Sequence, residues 1–235
     1  MSMWQWQEVQ TLSWQMRKLA SYIDHTLLKP FCTENDIVKL CAEAREHGFA
    51  AVCVPPCYVA LAAQQLRGTD VKTCSVVGFP LGYNPTEVKL NETNELIREG
   101  AHEIDVVVNV SWIKSGQWDK VSNELEALHQ LMAPKDIVFK LIFETAYLTP
   151  EEVLQLSDLC LKHQVDYLKT STGFAPKGAE LEVVSNMKKA IGERAKIKAS
   201  GGIADLETAL AFIEAGADRI GTSSGVKIVA AASNG

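Results

Sequence analysis

Three ionisable residues stand inside runs that otherwise read as apolar strands. Lys169 lies in Asp166-Tyr-Leu-Lys-Thr-Ser-Thr-Gly-Phe174, Lys198 in Lys196-Ile-Lys-Ala-Ser-Gly-Gly202, and Asp105 in Glu103-Ile-Asp-Val-Val-Val-Asn-Val110. An unpaired buried charge is costly, so each must be paired, neutralised or used. Two lysines and an aspartate suit an amine-catalysed carbonyl reaction, in which one amine attacks a carbonyl carbon and a second stays charged beside it. A free lysine, with a pKa near 10.4, offers about one neutral amine in a few thousand at pH 7. A neighbouring ammonium and partial desolvation both raise that fraction. A structural ion-pair network is the competing reading. The number of lysines weakens it, because ammonium groups crowded together without a purpose only repel.

These residues need strands to aim them. Alternation puts Asp105, Val107 and Asn109 on one face of their strand, and Lys140, Ile142 and Glu144 on one face of the next. Strands read at Tyr22–Leu27, Ala50–Val54, Thr73–Val77, Glu103–Val110, Ile137–Phe143, Tyr167–Thr170, Lys196–Ala199 and Arg219–Thr222. Helices read over 34–47, 56–67, 86–99, 119–132, 150–163, 178–192, 205–215 and briefly from about 224. Thr33 with Asp36, Pro85-Thr-Glu and Thr149-Pro-Glu-Glu mark helix starts. Glu46-His-Gly, Glu99-Gly-Ala and Glu214-Ala-Gly mark helix ends. One βα unit about every 30 residues predicts a single domain over 1–235, a (β/α)8 TIM barrel with an extra N-terminal helix at about 3–18. An open doubly wound sheet is the alternative, but no Gly-x-Gly-x-x-Gly follows the first strand. The polar faces then point into the barrel, where Lys140, Lys169 and Lys198 meet Asp105, with Glu144 as a further carboxylate.

The loops at the carboxyl ends supply the rest of a site. Ser200-Gly201-Gly202 and Gly221-Thr-Ser223-Ser224-Gly225 are small-residue turns of the kind that bind phosphate through backbone N–H groups and a helix N-terminus. Thr172 and Gly173 are placed to add donors.

Composition fits a soluble enzyme: 235 residues, 47% hydrophobic, 22% charged, and a net charge of −6 that gives nucleic acid nothing to bind. No apolar run reaches membrane-spanning length, and the start lacks the layout of a signal peptide, so a cytoplasmic location is expected. Cysteines 32, 41, 53, 57, 74 and 160 have no zinc-site spacing and read as reduced thiols, with no metal expected.

The motifs Ile23-Asp-His-Thr-Leu-Leu-Lys-Pro30, Val77-Gly-Phe-Pro-Leu-Gly82, Glu103–Asn109, Lys140-Leu-Ile-Phe-Glu-Thr145, Lys169–Phe174, Lys198–Gly202 and Gly221-Thr-Ser-Ser-Gly-Val226 occur in this order. In them the chain resembles the 2-deoxy-D-ribose-5-phosphate aldolases, class I aldolases on a TIM barrel. The resemblance implies reversible cleavage of deoxyribose 5-phosphate to acetaldehyde and glyceraldehyde 3-phosphate, with no metal or other cofactor and with a homodimer or higher homo-oligomer. It implies that Lys169 forms the Schiff base, that Lys198 and Asp105 tune it and relay protons, and that Asp24 and Thr26 lie near the substrate hydroxyls. Gly173, Gly202, Ser223 and Ser224 match the phosphate site, and Gly201 and the inward Lys140 are grouped with the substrate-binding residues. Some members carry a lysine where this chain has Phe174, with Lys177 the nearest substitute, so weaker phosphate preference is expected. Some members end in a tyrosine that reaches the site. The sequence ends Ala232-Ser-Asn-Gly235, for which lower turnover is expected. Cys53, near the end of the second strand, is expected to face the lysines and to be sensitive to an unsaturated aldehyde formed from two acetaldehydes. Another Schiff-base aldolase, such as a transaldolase or keto-acid aldolase, and a non-catalytic phosphosugar-binding barrel are the competing functions.

Overall fold

The computed structural model describes residues 18–233. Its strands are β1 (Ile23–Thr26), β2 (Ala51–Cys53), β3 (Lys72–Val77), β4 (Glu103–Val107), β5 (Val138–Ile142), β6 (Tyr167–Lys169), β7 (Lys196–Ser200) and β8 (Arg219–Thr222). All are parallel, each pairs with the next, and β8 returns to β1 to close the barrel. The helices around it are α1 (Glu34–His47), α2 (Val59–Gln65), α3 (Thr86–Arg98), α4 (Val110–Lys114), α5 (Trp118–Met132), α6 (Pro150–Lys162), α7 (Leu181–Ile191), α8 (Leu206–Glu214) and α9 (Gly225–Ala232). This is the (β/α)8 barrel that the βα rhythm predicts. The helix expected over 3–18 lies, apart from Lys18, outside the described residues.

The period-2 alternation of each strand makes two different interiors. Outward residues such as Ile23, Val52, Ile104, Val106, Phe139, Leu141, Leu168 and Ile197 pack against the helices as one continuous core. Each such side chain contributes about 1.5–3 kcal/mol by leaving water. Inside the barrel, Ala51, Cys53, Cys74 and Val76 on β2 and β3 form a small apolar cluster. Charged residues fill much of the remaining interior, alongside Val107, Ile142 and Tyr167.

Local signals fix the helix ends. Thr33 and Asp36 form a reciprocal capping box at α1, and Thr149 and Glu152 form one at α6. Gly48 ends α1 in the left-handed region at φ 68°, which a side chain would disfavour. Three expected boundaries differ by three residues. The fourth strand stops at Val107 because the Asn109 side chain accepts a hydrogen bond from Trp112 N and starts α4, a helix the apolar run had concealed. The second helix opens as a 3₁₀ turn over Pro56–Tyr58, closed by the Tyr58 N–H donating to the Pro55 carbonyl, and becomes α-helical at Val59. The helix expected from 178 starts at Leu181. Gly178 is instead pressed against the β7 loop, where an added Cβ would sit 2.2 Å from the Gly201 carbonyl oxygen.

Candidate active site

Lys169 is the last residue of β6, and Lys198 is its register partner on β7. The two ammonium groups converge on one atom. Lys169 Nζ donates to Asp105 Oδ2 at 2.8 Å, and Lys198 Nζ donates to the same oxygen at 2.7 Å. Lys140, the register partner of Asp105 on β5, takes the other oxygen, Oδ1, at 2.9 Å. The alternation that put these residues on inward faces therefore also brings them together. Gly221 on β8 makes room: a Cβ there would lie 3.1 Å from Lys198 Cε and 2.9 Å from Ser200 Cβ.

The network continues downward. Lys198 pairs with Asp24 Oδ2 at 2.5 Å and Lys140 with Glu103 Oε2 at 2.5 Å. Arg219, at the foot of β8, donates to Asp24 Oδ1 at 2.6 Å, lies 3.3 Å from Glu103, and donates to the Tyr167 hydroxyl. Four cations, Lys140, Lys169, Lys198 and Arg219, thus meet three carboxylates, Asp24, Glu103 and Asp105. One positive charge is left over. Lys198 has both Asp105 and Asp24, Lys140 has Asp105 and Glu103, and Lys169 has only the Asp105 oxygen it shares with Lys198. Lys169 is the cation that this network can spare.

The electrostatics follow from these contacts. Burial acts against the charge on Lys198, but Asp105 and Asp24 outweigh it and hold the ammonium above the ordinary lysine range. Lys140 is raised in the same way, chiefly by Asp105 against burial. Burial alone would favour a neutral Asp105, yet the ammonium groups of Lys140, Lys169 and Lys198 hold its carboxyl well below the usual carboxylate value. Asp24 is likewise lowered, with Lys198 and Arg219 overcoming burial.

Above Lys169, at the carboxyl ends of the strands, opens a cavity of about 270 Å³. Lys169 lines it, as do the expected Thr26, Thr172, Gly173 and Gly201. Gly202, Ser223 and Ser224 complete the expected set on its wall. Asp24 and Lys140, grouped with the substrate-binding residues from the sequence, do not reach it. Both are fully buried, Asp24 paired with Lys198 and Lys140 with Asp105. Glu144 is absent from the lysine cluster. It follows β5 at φ 54° and accepts from the Thr172 backbone N–H and hydroxyl, tying down the β6 loop. Lys177 is 68% exposed beside Glu180 and does not line the cavity, whereas Lys29, in the loop after β1, does. Its place in the run Asp24-His-Thr-Leu-Leu-Lys29, just past the carboxyl end of β1, was the available signal. Cys53 faces inward beside Cys74. Hydrogen bonding with the Cys74 thiol lowers its pKa against the effect of burial, helped by Lys198 and Lys169.

A larger hollow of about 940 Å³ lies at the opposite end of the barrel, bordered by Asp158, Arg194, Lys196 and Arg219. Neither Lys169 nor the glycine turns reach it, so the smaller cavity is the one that joins Lys169 to the glycine turns.

Comparison with known proteins agrees with this geometry. Residues 18–231 match the family model described as DeoC/LacD family aldolase. A deoxyribose-phosphate aldolase of Caldanaerobacter subterraneus subsp. tengcongensis is 51% identical over 215 residues, covering 91% of this chain and 93% of that protein. Among solved structures, the aldolase QR15 superposes with a TM-score of 0.86 at 46% identity, over 91% of this chain and 95% of its own. The tetrameric deoxyribose phosphate aldolase of Aeropyrum pernix gives 0.85 at 34% identity, over 96% and 97%. The chain belongs to the DeoC/LacD family of aldolases.

Proposed function

We propose that this aldolase reversibly cleaves 2-deoxy-D-ribose 5-phosphate to acetaldehyde and D-glyceraldehyde 3-phosphate through an imine on Lys169. The observation that carries the reading is the single Asp105 oxygen shared by Lys169 and Lys198, with only Lys169 of the two facing the cavity. The neutral Lys169 amine adds to C1 of the open-chain sugar, and water leaves to form the iminium. The C3 hydroxyl then loses its proton and the C2–C3 bond breaks. Its electron pair moves to the iminium, giving an enamine and releasing glyceraldehyde 3-phosphate. Protonation of the enamine carbon and hydrolysis return acetaldehyde and free amine. Lys198 stays charged throughout, and Asp105 passes protons between the Lys169 nitrogen and the reacting centre. The Gly201–Gly202 and Ser223–Ser224 turns, the start of α9 and the Lys29 ammonium hold the phosphate. Thr26 and Thr172 are placed to meet the sugar hydroxyls.

The proposal includes a cytoplasmic, self-associating enzyme. Its cysteines are all free thiols in the described residues, which suits a reducing compartment. None of the described helices is long and apolar enough to cross a membrane. Self-association rests on likeness to the tetrameric Aeropyrum pernix protein. Borohydride reduction in the presence of deoxyribose 5-phosphate, followed by peptide mass spectrometry, tests the chemistry. A reduced adduct on Lys169 is expected; an adduct on Lys198 instead, or no adduct at all, would falsify it.

A further inference from the structure

Arg219 borders the hollow at the opposite end of the barrel from the lysine cavity, and no step of the cleavage uses it. It is nonetheless built into the barrel interior. Its Nη1 donates to Asp24 Oδ1 at 2.6 Å and lies 3.3 Å from Glu103 Oε2, its Nη2 donates to the Tyr167 hydroxyl at 3.3 Å, and its register partner on β7 is Lys198. Each carboxylate it meets already has a lysine, Lys198 on Asp24 and Lys140 on Glu103. Neither acid needs Arg219 to be neutralised. Without it, Lys140, Lys169 and Lys198 would face Asp24, Glu103 and Asp105, three charges against three. With it the count is four against three. The surplus proton cannot leave from Arg219 itself. A guanidinium does not deprotonate in a protein, and here Asp24 and Glu103 outweigh the burial that opposes its charge. Lys198 and Lys140 each hold two carboxylates, so the surplus falls to Lys169.

We propose that Arg219 is a positioning residue for the reactive amine: it supplies the fixed fourth charge that makes the Lys169 proton the surplus one, without reaching the substrate. The proposal rests on the imine reading. Arg219 acts through the two carboxylates it touches. It occupies Asp24 and Glu103 from below, so Lys198 and Lys140 draw more heavily on Asp105, and Lys169 is left with one oxygen that Lys198 also uses. The other charged groups around the amino-end hollow, Asp158, Lys162, Asp166, Glu193, Arg194 and Lys196, are all exposed, where solvent screens them. Around Lys169 the remaining titratable groups are the inward thiols of Cys53 and Cys74, Glu144 held by Thr172, and the exposed Lys29 on the cavity wall. None of these supplies a fixed buried cation. The competing reading makes Arg219 only a clasp that ties β8 to β1 and β4.

The test reads the acidic limb of the kcat/KM profile for unphosphorylated deoxyribose, which keeps the titration of a substrate phosphate out of the measurement. Arg219→Met removes the surplus charge, so Lys169 keeps its proton and the limb should move about one unit to higher pH, roughly a tenfold loss of kcat/KM on the limb. Glu103→Gln raises the surplus to two and should move the limb to lower pH by about as much. Arg219→Met combined with Glu103→Gln restores a surplus of one and should return the limb to near its wild-type position. Arg219→Lys keeps the charge and should leave the limb in place, although an ammonium lacks the fork that serves Asp24, Glu103 and Tyr167 together. A clasp alone predicts the same limb in every folded variant. That result, or limbs of Arg219→Met and Glu103→Gln that move the same way, overturns the proposal. If Arg219→Met does not fold, Glu103→Gln decides alone: a limb at lower pH supports the charge count and an unmoved one overturns it. Borohydride trapping of the wild-type enzyme separates the two readings. An adduct on Lys169 with limbs that do not move overturns the role of Arg219 only, whereas no adduct overturns the imine reading beneath it.

Discussion

Lys89 in the helix layer and Lys169 inside the barrel are both lysines taken out of water, 0% and 2% exposed. Lys89, on α3, donates to Glu124 Oε1 at 2.7 Å and to the Val107 carbonyl at 2.8 Å, and the Thr86 hydroxyl completes the set on Glu124. One cation is bonded to one carboxylate, with Glu92 a weaker second influence, and burial pulls the pKa of Lys89 below its ordinary value despite Glu124. The barrel interior instead has more cations than carboxylates, and its least-compensated member opens onto a cavity. Burial of a lysine is therefore not what marks a reactive one. Unequal charge count and access mark it.

Removing the least-compensated lysine is the severest test. Lys169→Leu should lower turnover on the order of 10⁴-fold or more, with no adduct after borohydride, because the other amine on the cavity wall, Lys29, is exposed and has no contact with Asp105 or Lys198. It should leave the fold intact, since Asp105 keeps Lys140 and Lys198. The same deletion in the sealed pair should do the reverse. Lys89→Met strands a buried Glu124 and should cost about 3–5 kcal/mol of unfolding free energy in denaturant titration, with kcat of the folded fraction changed little. Lys89→Met combined with Glu124→Leu should recover most of that loss. If the double variant is no more stable than the single one, the view of a self-contained pair fails.

Lys198→Leu tests whether charge acts at a distance from substrate. Lys169 would then have Oδ2 of Asp105 to itself and hold its proton more firmly, so turnover should fall about 10²–10³-fold and the acidic limb of the pH–rate profile should move to higher pH. An acidic limb left at its wild-type position would sink the electrostatic account. Acid stability separates the regions more gently. Asp105 and Asp24 titrate in the folded barrel below their ordinary 3.8, so their ionised forms contribute stability above pH 3.8, and that contribution is lost as pH falls below 3.8 through the folded values. Circular dichroism should show a barrel unaffected by pH down to about 4 that loses stability only below. The smallest effect belongs to Lys29, an exposed cation on the rim. Lys29→Ala should raise KM for deoxyribose 5-phosphate about threefold to tenfold and leave unphosphorylated deoxyribose unchanged, as a screened point charge implies. Phe174→Lys should shift the same ratio the other way.

The βα rhythm and strand alternation were enough to place Lys169, Lys198 and Asp105 on one interior surface, because a side chain's face depends only on its position along its own strand. Depth does not. Asp24 and Lys140 share the inward face yet do not line the cavity, since depth depends on barrel stagger and pairing register: Ile142, two residues beyond Lys140, is the one opposite Lys169, and on β1 the cavity is lined by Thr26, two residues beyond Asp24. Lys29 was missed for a different reason: it lies on a loop, where no period applies. Glu144 was misplaced because the strand pattern was carried past Ile142, where the backbone turns to positive φ. Phe79 and Phe174, whose rings meet edge-on at 5.2 Å, lie on loops far apart in sequence, and only the closed barrel brings them together.

The order in which the charges enter the barrel has one more consequence. Every carboxylate of the interior network comes from the first four strands, Asp24 on β1 and Glu103 and Asp105 on β4. Every cation comes from the last four: Lys140, Lys169, Lys198 and Arg219 on β5 to β8. Cut between β4 and β5, the molecule is an acidic half-barrel and a basic one. Neither half can close on a copy of itself without setting like charges face to face in a dry interior, whereas the two unlike halves attract. During assembly the charge pattern thus works as an address. It directs the first half of the chain to a second half and away from the same segment of a neighbouring molecule.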